Sequence, residues 1–422
     1  MRADIDSGRR INVPEWLRLE PLAVLGLVSL AALLCRVFWL DRPRTAIVGD
    51  ENFYVNAARI ILGRSVAHGL PYAGQPSGID PNREHPPLGK LVLAGTMWLF
   101  GDNAYSWRLP SVVAGLASIV LLYLIVRAAT ADEWLAVLAA SVFAFDNLVF
   151  VHSRMATLDM FLVVLLLLGV WLWFRGRRLA AGAALGVAAL VKLAGVYGCA
   201  ALVLLELGRA VAAKVRDGKW STDAFRSAAF VLGGFVVVWF FGLWLLDLAV
   251  TPYNYPWDHL AKMLKYGFSL HRPGGPAGVE SQPWQWLANE VQIPYYRVNE
   301  DLSVGGQVVA SRPIVWFRGA MNPVVIGTAP LAVSYVAWHA WRFRDRLSLW
   351  VVAWVVATYF SFFPLAVISH RTMYIFYALL PLPAVAVAIA QLLRALPRVV
   401  VPAYLLALLV GFADYFPFRR IF

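Results

Sequence analysis

The chain carries little charge for its length. Only 15% of its 422 residues are Asp, Glu, Lys or Arg, whereas soluble domains carry about 25%. Hydrophobic residues make up 60% of the composition. This scarcity of charge argues against a soluble enzyme and predicts a protein that lies mostly within a lipid bilayer.

Cysteine and the common nucleotide and hydrolase motifs are also scarce or missing. Cys35 and Cys199 both lie in apolar runs, and no C-x-x-C spacing occurs, so we predict buried thiols and no metal site built on cysteine. The phosphate-binding motif G-x-x-x-x-G-K-[ST] and the hydrolase motif G-x-S-x-G are absent. These absences argue against a P-loop nucleotide hydrolase and an α/β-hydrolase.

Apolar runs of about 20 residues, the length that spans a bilayer, recur along the whole chain. They predict about eleven transmembrane helices, near residues 21–40, 109–128, 132–150, 159–175, 179–195, 196–212, 227–247, 321–341, 347–366, 374–394 and 398–416. Around Lys192, one long helix is an alternative to two short ones. We expect an all-α polytopic membrane protein that forms one domain over residues 1–422.

The short turns between these runs differ in charge. With the N-terminus inside, the inner turns hold most basic residues: Arg127, Arg175, Arg177, Arg178, Arg209, Lys214, Arg216, Lys219, Arg342, Arg344, Arg346, Arg394 and Arg398. The outer short turns hold only Arg154, Lys192 and Arg371. Because short cytoplasmic loops are enriched in Lys and Arg, we expect a plasma-membrane protein with a cytoplasmic N-terminus. The net charge of +12 then reflects turns that face anionic lipid, not nucleic-acid binding.

Two long loops remain on the outside, at about residues 41–108 and 248–320. In the first, Phe53, Ala57, Ile60 and Ile61 share one helical face, which predicts an amphipathic interfacial helix over residues 51–62. The apolar run 86–100 is too short for an ordinary span and suits an interfacial or re-entrant helix.

Asp50 and Glu51 form a carboxylate pair about ten residues beyond the first span. A carboxylate at the membrane surface can act as a general base on a substrate held at the lipid boundary. The alternative is that Asp50 only begins a helix, since Asp is a favoured N-terminal capping residue.

Other ionisable and aromatic side chains are expected at the same outer edge, where cations would suit a phosphate. The candidate substrate or donor contacts are Tyr54, His85, Lys90, Arg108, Arg154, Asp159, Lys192, His271, Trp284 and Arg371. Four of them have an alternative role without substrate contact. Arg154 and Asp159 would be charges at helix ends, Trp284 would belong to an aromatic belt at the membrane interface, and His271 would be an ordinary loop residue. Lys192 is harder to dismiss, because a Lys within hydrocarbon costs several kcal/mol.

An ordered set of motifs carries a resemblance to a known family. The set comprises Asp50-Glu51-x-x-Tyr54, His85-Pro86-Pro87-Leu88-Gly89-Lys90, Arg108-Leu109-Pro110, Asp146-Asn147, Ser153-Arg154-x-x-x-x-Asp159, Lys192-Leu193-Ala194-Gly195 and Ser281-x-Pro283-Trp284-x-Trp286. The chain resembles the protein O-mannosyltransferases and, more broadly, the membrane glycosyltransferases of the GT-C fold that use polyprenyl-phosphate sugars. The large extra loop domain of eukaryotic members is missing, so the resemblance is to a bacterial form.

The resemblance implies an inverting enzyme that moves mannose from polyprenyl-phosphate mannose to Ser or Thr hydroxyls of an unfolded or translocating exported protein. Asp50 would be the catalytic base, Glu51 its support and Arg108 an arginine needed near the site. Membrane lipids would be further partners; a divalent cation is compatible with the chemistry but not required. Two alternatives stay open: a GT-C transferase that modifies a lipid or cell-wall glycan, and a non-catalytic lipid or solute transporter.

Overall fold

A computed structural model describes residues 20–46, 50–304 and 307–419 of the chain. The N-terminal residues whose cytoplasmic side was predicted, 1–19, lie outside the described residues. The first half contains α1 (Pro21–Val37), α2 (Asp50–Ile61), α3 (Leu88–Phe100), α4 (Ala104–Thr130), α5 (Glu133–Ala144), α6 (Asn147–His152), α7 (Asp159–Phe174), α8 (Arg178–Val191) and α9 (Val196–Asp217). The second half contains α10 (Thr222–Val250), α11 (Pro256–Ser269), α12 (Pro283–Trp286), β1 (Ile293–Val304), β2 (Gln307–Gly319), α13 (Pro323–Phe343), α14 (Arg346–Val355), α15 (Phe362–Val367), α16 (Leu382–Ala395) and α17 (Val400–Asp414).

Every predicted span coincides with an apolar helix. In the described part of the chain, five helical stretches are long and apolar enough to cross a membrane: Ala104–Thr130, Leu193–Asp217, Thr222–Val250, Pro323–Phe343 and Arg346–Val367. The other predicted spans correspond to shorter apolar helices of 10–17 residues. The mostly helical membrane architecture is therefore confirmed, while the count of eleven spans stays a prediction.

The helix is interrupted between α8 and α9, as predicted by the assignment of two short spans around Lys192. Helix α8 ends at Val191, and Lys192 adopts an extended backbone with φ −151° and ψ 132°. A single 3₁₀ turn, Leu193–Gly195, leads into α9. A Cβ on Gly195 would lie 2.4 Å from the backbone nitrogen of Ala189, so only glycine lets this turn pack against α8. The break places the Lys192 side chain beside the start of α7.

The two helices predicted in the first outer loop are present. They are α2, which begins at Asp50, and α3, which begins directly after Pro86 and Pro87. Acidic residues in the first turn of α2 interact favourably with the positive end of its helix dipole. The remaining feature, that these helices lie in the membrane interface, stays a prediction.

The second outer loop contains an element that the sequence analysis did not anticipate. Strands β1 and β2 form an antiparallel hairpin whose base is packed into the protein and whose far end is exposed. The β2 residues Val315 and Phe317 are buried at the base. Backbone bonds join that base to the C-terminal segment, from the N–H of Trp316 to the oxygen of Pro417 and from the N–H of Arg419 to the oxygen of Ile314.

A buried carboxylate, Asp146, caps helix starts at the end of the bundle that carries these loops. Asp146 accepts the backbone N–H groups of Leu148 and Val149 at the start of α6. Its second carboxylate oxygen accepts the N–H of Asn322, which precedes α13. This buried carboxylate thus joins the starts of two helices that are far apart in the sequence, and it serves as a cap.

Candidate active site

The adjacent carboxylates of α2 face different surroundings. Asp50 lines a cavity of about 630 Å³. Glu51 is fully buried, and its carboxylate binds the Arg108 guanidinium through contacts of 3.0 and 3.2 Å. Glu51 also accepts the backbone N–H of Ala156 at 2.9 Å. Because successive helical residues point about 100° apart, two neighbours cannot both face the cavity.

Every nitrogen of the Arg108 guanidinium donates a hydrogen bond within the protein. Its Nε and one terminal nitrogen bind Glu51, and its terminal nitrogens also donate to the carbonyl oxygens of Leu40, Pro43 and Thr45. These bonds tie the loop after α1 to the starts of α2 and α4. Arg108 does not line the cavity, so its geometry suits positioning of Glu51 better than contact with a phosphate.

Asp159 and Lys192 form an ion pair on the cavity wall. The Lys192 Nζ lies 2.9 Å from Asp159 Oδ1, and both side chains line the cavity together with Asp50. The Lys192 ammonium also lies 5.1 Å from the centre of the Phe376 ring, within cation–π range. The side chain of Lys192 is 12% exposed, so this cation remains accessible from the cavity.

His152 and Tyr295 lie at or behind this wall, and the sequence did not predict either of them as a site residue. His152 Nε2 lies 2.9 Å from the Tyr295 hydroxyl, and His152 Nδ1 lies 3.3 Å from Asp159 Oδ2. Tyr295 lines the cavity, whereas His152 is buried behind it. The two residues are 143 positions apart and His152 lies in an apolar stretch, so no local pattern signals the pair.

Three more predicted residues reach the cavity: Tyr54, His85 and Arg371. Arg371 is held there by backbone pairing of its segment with the residues around His271, and its guanidinium donates to the carbonyl oxygen of Gly267. The remaining lining includes aromatic side chains from six separate segments: Phe53, Tyr72, Tyr197, Tyr266, Phe268, Phe362, Tyr374, Phe376 and Tyr377. Such a wall suits an apolar or sugar ligand that carries an anionic group.

The other predicted contacts lie outside the cavity lining. The buried Lys90 ammonium lies 2.5 Å from Asp80 and donates to the carbonyl of His85 at 2.8 Å, so it fixes the loop that presents His85. Arg154 donates to the carbonyl oxygens of Cys35, Phe38 and Trp39 at the end of α1.

The two candidates of the second outer loop also stand apart. His271 is exposed, and its backbone pairs with that of Arg371. Trp284 is 46% exposed and its ring lies 6.0 Å from that of Phe363. Neither side chain lines the cavity. Among the described residues, no group of three His, Cys, Asp or Glu side chains is arranged to hold a metal ion.

Burial controls the ionisation of the loop residues at the cavity. It raises the pKa of the Asp50 carboxyl, an effect that the Lys192 ammonium opposes and the Asp159 carboxylate reinforces. Burial also lowers the pKa of His85 well below its ordinary value, with help from the Lys192 and Lys90 cations. The raised pKa makes the Asp50 carboxylate a stronger base than an ordinary Asp, as a proton acceptor requires. The lowered pKa keeps His85 as a neutral imidazole.

Comparison with known proteins supports the resemblance found in the sequence motifs. The sequence profile described as dolichyl-phosphate-mannose-protein mannosyltransferase matches residues 84–253. The chain is also similar to the polyprenol-phosphate-mannose--protein mannosyltransferase of Mycolicibacterium smegmatis, with 24% identity over 455 residues that cover 89% of this chain and 82% of the relative. The predicted resemblance to the protein O-mannosyltransferases is confirmed.

Two solved structures share the fold. The protein O-mannosyltransferase complex Pmt1-Pmt2 of S. cerevisiae, solved bound to the sugar donor, has a TM-score of 0.70 at 12% identity, over 95% of this chain and 90% of that one. ArnT from Cupriavidus metallidurans, solved bound to undecaprenyl phosphate, has a TM-score of 0.56 at 20% identity, over 93% of this chain and 62% of ArnT. The predicted GT-C-like fold is confirmed by this likeness to the protein O-mannosyltransferase and ArnT structures.

Proposed function

We propose that the protein is an inverting glycosyltransferase that moves mannose from polyprenyl-phosphate mannose to Ser or Thr hydroxyls of exported proteins. The observation that carries the proposal is that a carboxylate, Asp50, and an ammonium, Lys192, line one aromatic cavity of about 630 Å³. A transfer from a phosphodiester needs a base for the attacking hydroxyl and a cation for the leaving phosphate. The bacterial relatives are named for transfer of mannose from polyprenol phosphate to protein, which supports the proposed sugar, donor and acceptor.

The reaction is a single displacement at the anomeric carbon. Asp50 removes the proton from the acceptor hydroxyl as the hydroxyl oxygen forms a bond to C1 of the mannose. The bond between C1 and the phosphate oxygen breaks on the opposite face, so the anomeric configuration inverts. Polyprenyl phosphate leaves with the electron pair, and the cations of Lys192 and Arg371 stabilise its charge. Glu51 and Arg108 keep the first turn of α2 in place, so that Asp50 faces the reacting oxygen.

The proposed placement is the plasma membrane, with a cytoplasmic N-terminus and the cavity on the outside. The distribution of basic residues along the helices supports it. Helix α7 begins at the cavity with Asp159 and ends before Arg175, and α13 ends before the exposed Arg344. Basic turns therefore follow the helix ends that lie away from the cavity, as short cytoplasmic loops do. On this placement the acceptor is an unfolded or translocating chain, and lipid contacts the apolar helices.

Transfer with purified protein tests the proposal. The assay supplies radiolabelled polyprenyl-phosphate mannose and a peptide that contains Ser and Thr, with a matched peptide in which both are Ala as the control. We expect label in the first peptide only, and the opposite anomeric configuration from that of the donor. Absence of label from the peptide, together with label in added lipid or glycan acceptors, would reject the protein acceptor and favour the alternative GT-C transferase. Absence of transfer to every acceptor would reject the enzyme assignment.

A further inference from the structure

Tyr295 is placed at the cavity by a local irregularity of β1. Ile293 pairs with Gly319 and Pro294 with Arg318, but the next pair is Tyr296 with Phe317, so Tyr295 is an extra residue in its strand. Such a β-bulge redirects a side chain, and bulges are frequent beside active sites. Here the bulge leaves Tyr295 7% exposed, on the wall that it shares with Asp50 and Asp159.

The opposite strand has the one residue type that leaves room for this ring. A Cβ at Gly319 would lie 3.0 and 3.2 Å from Cε2 and Cζ of Tyr295, and 3.1 Å from Cβ of Ile293. These distances are shorter than ordinary carbon contacts, so any larger residue would push the phenol ring by a few tenths of an ångström. The absence of a side chain at Gly319 therefore sets the position of the Tyr295 hydroxyl.

The hydroxyl is oriented from behind by His152. The Tyr295 oxygen lies 2.9 Å from His152 Nε2, while His152 Nδ1 lies 3.3 Å from Asp159 Oδ2 and 3.5 Å from Thr157 Oγ1. The Asp159 carboxylate binds the Lys192 ammonium and can only accept, so its contact with His152 needs a proton on Nδ1. In the tautomer whose single proton is on Nδ1, Nε2 accepts the hydroxyl proton of Tyr295.

A phenol whose proton is already donated can only accept from the cavity. We propose that Tyr295 recognises a hydroxyl group of the transferred hexose, with its phenolic oxygen as the hydrogen-bond acceptor and His152 and Asp159 as the residues that hold its proton away from the sugar. This assignment rests on the proposed function and deepens it. The hexose is the partner of choice because Asp159 also holds Lys192, the proposed phosphate contact, and the sugar is bonded to that phosphate.

The assignment makes a chemical distinction that a merely structural tyrosine would not make. A sugar hydroxyl donates to Tyr295, whereas neither hydrogen nor fluorine in its place can donate. Measured relative to Tyr295→Phe, so that the inductive effect of fluorine on the transfer cancels, the protein should therefore reject one deoxy donor and the corresponding deoxyfluoro donor to the same degree. If Tyr295 instead donated its proton, the fluorine would retain part of the interaction and the fluoro donor would be the better substrate.

The experiment compares polyprenyl-phosphate mannose with its 3-, 4- and 6-deoxy and deoxyfluoro analogues, by kcat/KM in the purified wild type and in Tyr295→Phe. In the wild type, one position should show a loss of about three- to tenfold for both analogues, the scale of one neutral hydrogen bond. In Tyr295→Phe, transfer from the mannosyl donor should fall by a similar factor, and the discrimination at that position should disappear. Binding of polyprenyl phosphate without sugar should not change, because Lys192 is intact.

Three further variants separate the position of the Tyr295 phenol from its hydrogen bonding. Gly319→Ala keeps the phenol and displaces its ring, so it should reduce the same discrimination by a smaller factor. Gly327→Ala in α13 is the matched control, since nothing lies within 4 Å of a Cβ there, and it should behave as wild type. His152→Leu frees the Tyr295 proton, so it should improve the deoxyfluoro donor relative to the deoxy donor.

Full discrimination at all three positions in Tyr295→Phe, or a fluoro donor preferred over the deoxy donor in the wild type, would overturn the assignment while leaving the glycosyltransferase in place. No transfer from any hexose donor by the wild type would overturn the proposed function and, with it, this assignment.

Discussion

Asp50 and Glu51 are adjacent in α2, yet Asp50 lines the cavity and Glu51 is bonded to the buried Arg108 at 3.0 Å. One carboxylate is thus available to a substrate, and the other holds α2, α4 and the loop after α1 together. The first prediction follows from this division. Glu51→Gln leaves the Arg108 guanidinium without its counter-charge, and breaking a buried ion pair costs about 3–5 kcal/mol.

We therefore expect Glu51→Gln to lower the unfolding temperature of the detergent-solubilised protein, measured by differential scanning fluorimetry. Asp50→Asn is the matched control, because it removes the neighbouring charge without breaking an ion pair, and its unfolding temperature should remain close to wild type. Equal unfolding temperatures for Glu51→Gln and wild type would contradict the structural role of the pair.

The second prediction concerns the donor phosphate. Lys192→Met and Arg371→Met should each weaken binding of polyprenyl phosphate by about 1–3 kcal/mol, the scale of a charged hydrogen bond. Lys219→Met, at an exposed lysine outside the cavity lining, is the control. Because Lys192→Met also removes the ammonium that pairs with Asp159, the double variant Lys192→Met/Asp159→Asn separates lost charge from lost stability. Unchanged affinity in both single variants would remove these residues from the phosphate site.

The third prediction is a pH profile. Because burial raises the pKa of Asp50 in the free protein, kcat/KM for transfer should fall on the acid side through a pKa above the usual value for Asp. The same shift has the opposite effect on stability: a raised carboxyl pKa stabilises the fold at low pH, and that contribution is lost as the pH rises through it. An acid limb at or below the ordinary Asp pKa of about 3.9 would contradict the buried base.

The fourth prediction concerns orientation. In a background in which Cys35 and Cys199 are replaced, a cysteine introduced at the exposed Trp284 should react with an impermeant thiol reagent added outside. A cysteine at the exposed Arg344 should react only after the membrane is opened. The reverse pattern would place the cavity on the cytoplasmic side and reject the proposed acceptor.

The sequence alone was enough for features that depend on local pattern. Apolar runs gave the positions of the helices, and the paired carboxylates and Lys192 stood out because charge is costly beside hydrocarbon. The sequence did not show which charged side chains form ion pairs or hydrogen bonds with other groups of the chain and which face the cavity. Lys90, Arg108 and Arg154 look alike in the sequence as cations at the outer edge, but each is occupied by carboxylates or backbone carbonyls of this chain. The distinction depends on tertiary contacts.

The hairpin and its tyrosine were missed for a related reason. The apolar base of β1 and β2 is short, and the exposed part has no strong alternation of polar and apolar residues. The position of Tyr295 depends on a bulge, on Gly319 in the facing strand and on His152 at a distance of 143 residues. No local sequence pattern predicts a contact that depends on three separate parts of the chain.

The fifth prediction tests the central claim, that Asp50 is the proton acceptor. Asp50→Asn keeps the size of the side chain and an oxygen that can cap a helix, but it cannot take the proton. The measurement is the rate of mannose transfer from polyprenyl-phosphate mannose to a Ser/Thr peptide, in a variant shown to fold and to bind polyprenyl phosphate as wild type does. We predict a loss of about 10²–10⁴-fold, the usual contribution of a general base. A rate within about threefold of wild type would contradict the account, because Asn replaces Asp well as a helix cap but not as a base.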